Sequence, residues 1–320
     1  MKYNYDAELA AAVSFLPVVD ISDPARLRAQ LHTMAQGFQM GPAADTSALD
    51  VEDRFIAGLD GAPEVRVRVY TPKERSAAVP GVLYVHGGGF VLGSIELEHT
   101  ISSAIATRLG IVLVSVEYRL APEHPYPAGL DDCFAALQWL AANAVTLGVD
   151  QARIGVVGQS AGAGLCAGLT LRARDQGGPA LCFQYLGMPE LDDRLDTVSM
   201  RTFDDTPLWN RPNAILSWKH YLGEGYRPGG DGVPLYAAPA RAGESDLRGL
   251  PPAYISAMEF DPLRDEGVLY ALKLMQAGVP VELHTYPGTF HGSSMLADAA
   301  VTRRQMNEMF EVIGRGLRIA

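Results

Sequence analysis

The chain has little cysteine, no cluster of basic residues and no long apolar run, and each absence removes a class of reading. Its first 15 residues carry Lys2, Asp6 and Glu8, so they lack the basic start and unbroken apolar stretch of a secretory signal. No other stretch approaches the roughly 20 apolar residues that span a bilayer. These absences predict a soluble, cytoplasmic protein with no membrane partner. Lys and Arg number 26 against 37 Asp and Glu, a formal net charge of -11. Such a chain repels phosphate backbones, and no Lys/Arg cluster offsets this, which excludes nucleic acid as a partner. The three cysteines, Cys133, Cys166 and Cys182, are odd in number and widely spaced. That pattern fits neither a disulfide framework nor a metal site. They are expected to be reduced and mostly packed inside, and no histidine is placed by sequence to activate one of them.

What the chain does have is enough apolar content, 48% of 320 residues, to bury one large core. From about residue 51 strand-like and helix-like segments alternate, which predicts an α/β architecture in a single domain. Residues 65–70 alternate apolar and basic, as in a strand solvated on one face near a sheet edge. Residues 82–85, 111–116 and 154–157 are continuously apolar and are predicted as central parallel strands. Further strands are predicted over 181–186, 253–257 and 281–286, and helices over 95–109, 130–147, 161–174, 267–277 and 299–317. Two regions, 1 to about 50 and about 189–226, fit no strand of this rhythm. Both are predicted as cap elements over the carboxyl ends of the strands, where ligands of open α/β sheets bind. The core is then about 51–188 and 227–320.

Gly158-Gln159-Ser160-Ala161-Gly162 follows the apolar strand at 154–157 and opens the next helix. This is the strand-turn-helix context of the G-x-S-x-G elbow, in which a serine projects above the sheet as a nucleophile. An ordinary N-cap serine in a glycine-rich turn would not need the partners that follow. His86-Gly87-Gly88-Gly89-Phe90 ends another strand. Consecutive glycines let main-chain N–H groups approach an oxyanion, each such donor being worth about 2.7–4 kcal/mol in the transition state. Gly88 and Gly89 are assigned that role, with the N–H of Ala161 as third donor. A phosphate-binding loop is disfavoured, because the Lys and Ser/Thr that complete one are missing. His86, at a strand end, is read as structural.

The base should be a histidine downstream of the serine, emerging after a strand. His220 falls in an aromatic, apolar run, and His284 lies within the strand at 281–286 and is expected to face solvent beside Glu282. His291 follows that strand through Pro287-Gly288-Thr289 and is assigned as base. Among Glu259, Asp261, Asp265 and Glu266, Asp261 is the favoured acid and Glu259 the second choice. Pro262 favours an extended Asp261 and a helix just after it, which leaves Asp265 and Glu266 to be explained by the helix dipole.

These residues together resemble the bacterial hormone-sensitive-lipase-like esterases of the α/β-hydrolase superfamily. The likeness is carried by His86 to Phe90, Tyr118-Arg119-Leu120-Ala121-Pro122-Glu123, the serine elbow, Asp261-Pro262-Leu263-Arg264-Asp265 and His291-Gly292. The resemblance implies a mostly parallel eight-stranded sheet flanked by helices with a helical cap. It also implies the triad Ser160, Asp261 and His291, no cofactor and no metal, and a homodimer. Residues 118–123 look like a structural motif of that family. Gln159 and Ala163 stand where members commonly carry Asp and Gly, and Ser293 where an aromatic is often found; these departures bear on subfamily and substrate. The expected reaction is hydrolysis of short- to medium-chain carboxylic esters through an acyl-enzyme. Met34, Phe38, Met40, Leu208 and Trp209 are candidate pocket walls that could equally pack cap on core. An amidase, arylformamidase or peptidase using the same groups, and a non-catalytic small-molecule receptor of the same fold, are the competing readings.

Overall fold

In the computed structural model, residues 2–37, 44–75 and 77–319 are described. Eight strands, β1 (Leu49–Ile56), β2 (Val65–Pro72), β3 (Val79–Val85), β4 (Val112–Glu117), β5 (Val149–Gln159), β6 (Phe183–Gly187), β7 (Ala253–Phe260) and β8 (Val281–Phe290), form one sheet. Their order is β1-β2-β4-β3-β5-β6-β7-β8. β2 runs antiparallel to both its neighbours, and every other pair is parallel. The helices are α1 (Ala7–Ala10), α2 (Pro24–Gly37), α3 (His99–Leu109), α4 (Ala128–Ala142), α5 (Ala144–Leu147), α6 (Ala161–Asp175), α7 (Val198–Thr202), α8 (Arg211–Leu222), α9 (Glu244–Leu247), α10 (Arg264–Gln276) and α11 (Ala300–Gly316). Among the described residues no helix is long and apolar enough to cross a membrane.

The continuously apolar strands are covered on both faces. Leu83, Val85, Val114 and Val156 point toward α4, α6 and α10, while Val82, Tyr84, Leu113 and Val157 pack on α3 and α11. β4, β3 and β5 sit side by side in the middle of the sheet, as their composition requires.

Several elements differ from the sequence reading: β5 begins five residues earlier, at Val149, α3 four residues later, at His99, and β7 runs three residues further, to Phe260. β1 carries charges at Asp50, Glu52, Asp53 and Arg54 and buries only its end residues Leu49 and Ile56. It is an edge strand held by its ladder to β2 and by Asp53, which pairs with Arg66 and Arg68 of that strand, so no apolar period marks it. The stretch 130–147 is broken at Asn143 into α4 and α5. α10 begins three residues earlier than expected, at Arg264. β8 continues through Pro287 and Gly288 to Phe290, with a register break opposite Met258 and Phe260, so the expected turn is an irregularity inside the strand.

The two regions without a sheet rhythm pack on each other and on the loops around the carboxyl ends of the strands. Ile21, Leu27 and Leu31 join Met200, Trp209 and Ala214 against Val91, Leu92, Ala121 and Leu263. Leu9 and Leu208 join Met188, Met258, Tyr286 and Phe290. His220 Nε2–H donates to the Ile21 carbonyl at 3.1 Å, and Asn213 Nδ2–H to that of Val19 at 2.9 Å. Cys133 and Cys166 are free and buried, Cys182 is free and half-buried, and burial raises all three thiols, which makes them poor nucleophiles.

Candidate active site

Ser160 caps α6 at the end of β5 with φ 53° and ψ -124°, a left-handed conformation rare for a side-chain-bearing residue. Two contacts enforce it. A Cβ at Gly162 would overlap the Val85 and His86 carbonyls, and one at Gly158 would lie 2.7 Å from the Ala163 nitrogen. The helix therefore starts hard against β3, and Ser160 N–H donates to the Gly187 carbonyl of β6 at 2.8 Å.

A hydrogen-bonded chain starts from this serine. Ser160 Oγ lies 2.9 Å from His291 Nε2, and His291 Nδ1 lies 2.7 Å from Asp261 Oδ2. An ionised carboxylate only accepts, so Nδ1 carries the proton and Nε2 offers its lone pair to the serine hydroxyl. Asp261 is fully buried and its Oδ1 accepts from Leu263 N–H at 2.8 Å, which fixes the carboxyl plane. His291 follows β8 directly. Ser160 and His291 are 8% and 7% exposed, so both are nearly closed off from bulk water.

The other acids lie elsewhere. Glu259 Oε2 accepts from Gly288 N–H at 2.6 Å and props the irregularity in β8. Asp265 and Glu266 are better explained by tertiary contacts than by the helix dipole. Asp265 accepts from Ser199 N–H at 2.7 Å and Glu266 from Leu191 N–H at 2.6 Å, so both tie α10 to the segment after β6. Burial raises Glu266 well above the usual carboxyl range. His284 does not stand free in solvent: Nε2 lies 3.0 Å from Glu282 and Nδ1 3.3 Å from Glu308 on α11.

The glycine loop runs beside the elbow. A Cβ at Gly87 would lie 3.0 Å from the Gln159 carbonyl and 3.5 Å from Ser160 Cβ. Gly88 and Gly89 have φ 117° and 58°, and Val91 and Leu92 N–H close the turn on the Gly88 carbonyl at 3.1 and 2.8 Å. Among the described residues the N–H groups of Gly88, Gly89 and Ala161 donate to no protein acceptor, Ala161 being the first residue of α6. His86 is fully buried, stacks on Tyr118 at 4.1 Å and is pushed down to about 4 by desolvation, so it stays neutral. Residues 118–123 support this loop: Tyr118 O–H donates to the His86 carbonyl at 3.0 Å, Ala121 N–H to that of Phe90 at 3.0 Å, and Arg119 is paired with buried Asp132 at 2.8 Å.

Of the candidate wall residues, Trp209 lies over the site, its ring 5.8 Å from that of His291 and in contact with Gly89. Leu208 Cδ1 would lie 3.0 Å from a Cβ at Gly292. Phe38, Met40 and the side chain of Met34 lie outside the described residues. Gln159 turns away from the nucleophile toward α11, with Nε2 3.8 Å from Met309 Sδ. Ser293 is buried. Two buried residues flanking the site, Glu190 and Ser217, carried no sequence signal beyond a polar residue in an apolar context.

Comparison with known proteins agrees with this architecture. A family described by the α/β-hydrolase fold matches residues 82–295. The carboxylesterase NlhH of Mycobacterium tuberculosis is 44% identical over 251 residues, 76% of this chain and 75% of its own. The esterase LipI of the same organism is 40% identical over 248 residues, with 76% and 75% covered. Among solved structures, a bacterial heroin esterase superposes with a TM-score of 0.94 at 51% identity over 98% of both chains. With that much of the chain matched, the protein belongs to the α/β-hydrolase family, among its hormone-sensitive-lipase-like esterases.

Proposed function

We propose that the protein is a serine carboxylesterase acting on short- to medium-chain carboxylic esters through an acyl-enzyme. The observation that carries this reading is the chain Ser160–His291–Asp261, at 2.9 and 2.7 Å, set beside a loop with free N–H donors. His291 Nε2 takes the Ser160 proton as Oγ attacks the ester carbonyl carbon, and Asp261 stabilises the imidazolium. The N–H groups of Gly88, Gly89 and Ala161 receive the oxyanion. Collapse of the tetrahedral intermediate expels the alkoxide, which takes the proton from Nε2–H. A water then attacks the acyl carbon as Nε2 takes its proton, and collapse of the second tetrahedral intermediate breaks the bond to Oγ, which takes the proton back from Nε2–H, freeing the carboxylic acid and the serine. Trp209, whose ring lies against Gly89 and beside His291, is proposed to limit the acyl group to short and medium chains.

The relatives named as esterases support ester over amide hydrolysis. In this reading one domain, with core about 51–188 and 227–320, carries a cap from about 1–50 and 189–226, and Leu208 and Trp209 line the pocket beneath it. Met34, Phe38 and Met40 are proposed as further wall residues. Cytoplasmic residence and homodimerisation belong to the same proposal, and cell fractionation and sedimentation equilibrium test them.

Initial rates over an acyl series of nitrophenyl esters, with matched anilides, test substrate class. The expected result is turnover that falls with acyl length and exceeds that of the anilides; an anilide preference would overturn the reading. The assignment of the acid is tested in the same assay. Asp261→Asn removes the acceptor that sets the His291 tautomer and is expected to lower kcat by about 10³–10⁴. Glu259→Gln, whose partner is Gly288 N–H, is expected to change kcat less than about threefold. Equal losses in the two variants would remove Asp261 from the triad.

A further inference from the structure

Glu190 is wholly buried three residues beyond β6, and it is not one of the groups the proposed reaction uses. Its backbone is clamped to the elbow: Glu190 N–H donates to the Ser160 carbonyl at 3.2 Å, and its own carbonyl presses on Gly164 of α6 so closely that a Cβ there would overlap it. Among the described residues neither carboxyl oxygen has a hydrogen-bond partner in place. A buried carboxylate left so would be costly, and a carboxylic acid far less so.

The groups that face it are few. Asp261 after β7, Glu266 on α10 and Tyr221 on α8 are acidic or neutral, α6 meets it with Gly164, and the Ser217 hydroxyl of α8 is the polar partner within its reach. Ser217, also fully buried, donates its one hydroxyl proton to the Gly89 carbonyl at 3.0 Å. Because that proton is committed, Ser217 can offer Glu190 only a lone pair, which requires Glu190 to be the donor.

We propose that Glu190 is a positioning residue of the esterase reaction, a buried carboxylic acid whose O–H donates to Ser217 and, through it, holds the Gly89 carbonyl and the oxyanion loop against the elbow. The inference rests on the esterase reading given above. Donation along Glu190, Ser217 and Gly89 strengthens each link by polarisation. Desolvation pushes the Glu190 carboxyl up to about 8, with Ser217 opposing the rise and Asp261 adding to it, in keeping with a proton held through neutral pH. Once ionised, it would compete with Gly89 for the Ser217 proton and loosen the loop.

An acid raised from 4.5 unfolded to about 8 folded favours folding only while it is protonated in both states. Its contribution is full below about pH 4.5 and is lost as pH rises toward 8. Glu190→Gln cannot ionise, keeps a donor for Ser217, and isolates this effect.

The test measures kcat and KM for a short-chain nitrophenyl ester between pH 6.5 and 10, with thermal midpoints between pH 4.5 and 9, for the native protein, Glu190→Gln, Glu190→Ala and Ser217→Ala. The expected native kcat falls above about pH 8, whereas Glu190→Gln holds its plateau and stays within about threefold of native at pH 7. Glu190→Ala and Ser217→Ala are expected to lose roughly tenfold in kcat with KM little changed, as for a group that acts through the oxyanion donors. The midpoint of Glu190→Gln is expected to gain on the native one as pH rises from 4.5 to 8. An alkaline limb shared by native and Glu190→Gln, or midpoints that differ by the same amount at every pH, overturns the proposal. The midpoints need no activity: a native protein that neither turns over esters nor reacts with a serine-directed phosphonate sinks the esterase reading, while a labelled, active protein with pH-parallel midpoints sinks this inference alone.

Discussion

Ser160→Ala is expected to lower kcat for a short-chain nitrophenyl ester by about 10⁵–10⁶ while leaving the fold intact. The nucleophile and its base act as one unit. With Oγ gone, His291 Nε2 has no hydroxyl 2.9 Å away to deprotonate, and no acyl-enzyme can form. What should survive is binding plus the proposed oxyanion donors Gly88, Gly89 and Ala161, expected still to accelerate attack by water over the uncatalysed rate. Alanine introduces no new clash, and the left-handed backbone at φ 53° is imposed by the packing of Gly158 and Gly162 rather than by the serine hydroxyl. The thermal midpoint should therefore move by no more than a few degrees. Initial rates and intact-mass detection of phosphonate adduct, which should appear on the native protein and be absent from the variant, check both halves. Residual turnover near the native level would remove Ser160 from the mechanism.

The parts of the fold and site that were legible in the sequence are those whose physical cause is local. β3 and the buried stretches of β4 and β5 announce themselves because strand residues covered on both faces are mostly apolar, whereas the polar first half of β5, Asp150 to Arg153, carries no such signal. The elbow is legible because glycines at 158 and 162 are demanded by backbone contacts within a few residues or with the adjacent strand. The side chains that the structure brings into a chain with Ser160 had local signals too: His291 follows a strand, and Pro262 restricts the backbone of Asp261. What was not legible depends on partners distant in sequence. β1 is stabilised by its ladder to β2 and by Asp53 against two arginines, none of which leaves an apolar period. Asp265 and Glu266 look like ordinary first-turn acids until Ser199 and Leu191, 66 and 75 residues away, are seen to donate to them. Ser217 is one serine in a helix of mixed polarity, and only the approach of Gly89, 128 residues earlier, gives its hydroxyl a task.

Gly162→Ala is expected to be among the most damaging single changes in the chain, although it adds only a methyl group. The added Cβ would overlap the Val85 and His86 carbonyl oxygens and lie 2.7 Å from the His86 carbonyl carbon. All three atoms are backbone at the end of β3, which is locked by parallel ladders to β4 and β5 on its two sides. No side chain can rotate to relieve the overlap, so α6 must lift from the sheet. Overpacking of this kind typically costs about 1–3 kcal/mol, and more where backbone must move; about 3 kcal/mol or more is expected here. In a chain of this size that corresponds to a fall in thermal midpoint of roughly 5 °C or more, read at one fixed scan rate because unfolding of large chains is often irreversible. The same displacement separates the Ala161 N–H from the loop at Gly88 and Gly89. A misplacement near 1 Å is enough to cost about 10²-fold in rate, so the protein that does fold should show kcat lowered to that extent. Gly232→Ala supplies the comparison, since nothing lies within 4 Å of a Cβ at that position, and it should change neither midpoint nor kcat measurably. If Gly162→Ala matched Gly232→Ala in both measurements, the elbow would not be packed against β3 as closely as its glycines imply, and the account of how Ser160 is held would fail with it.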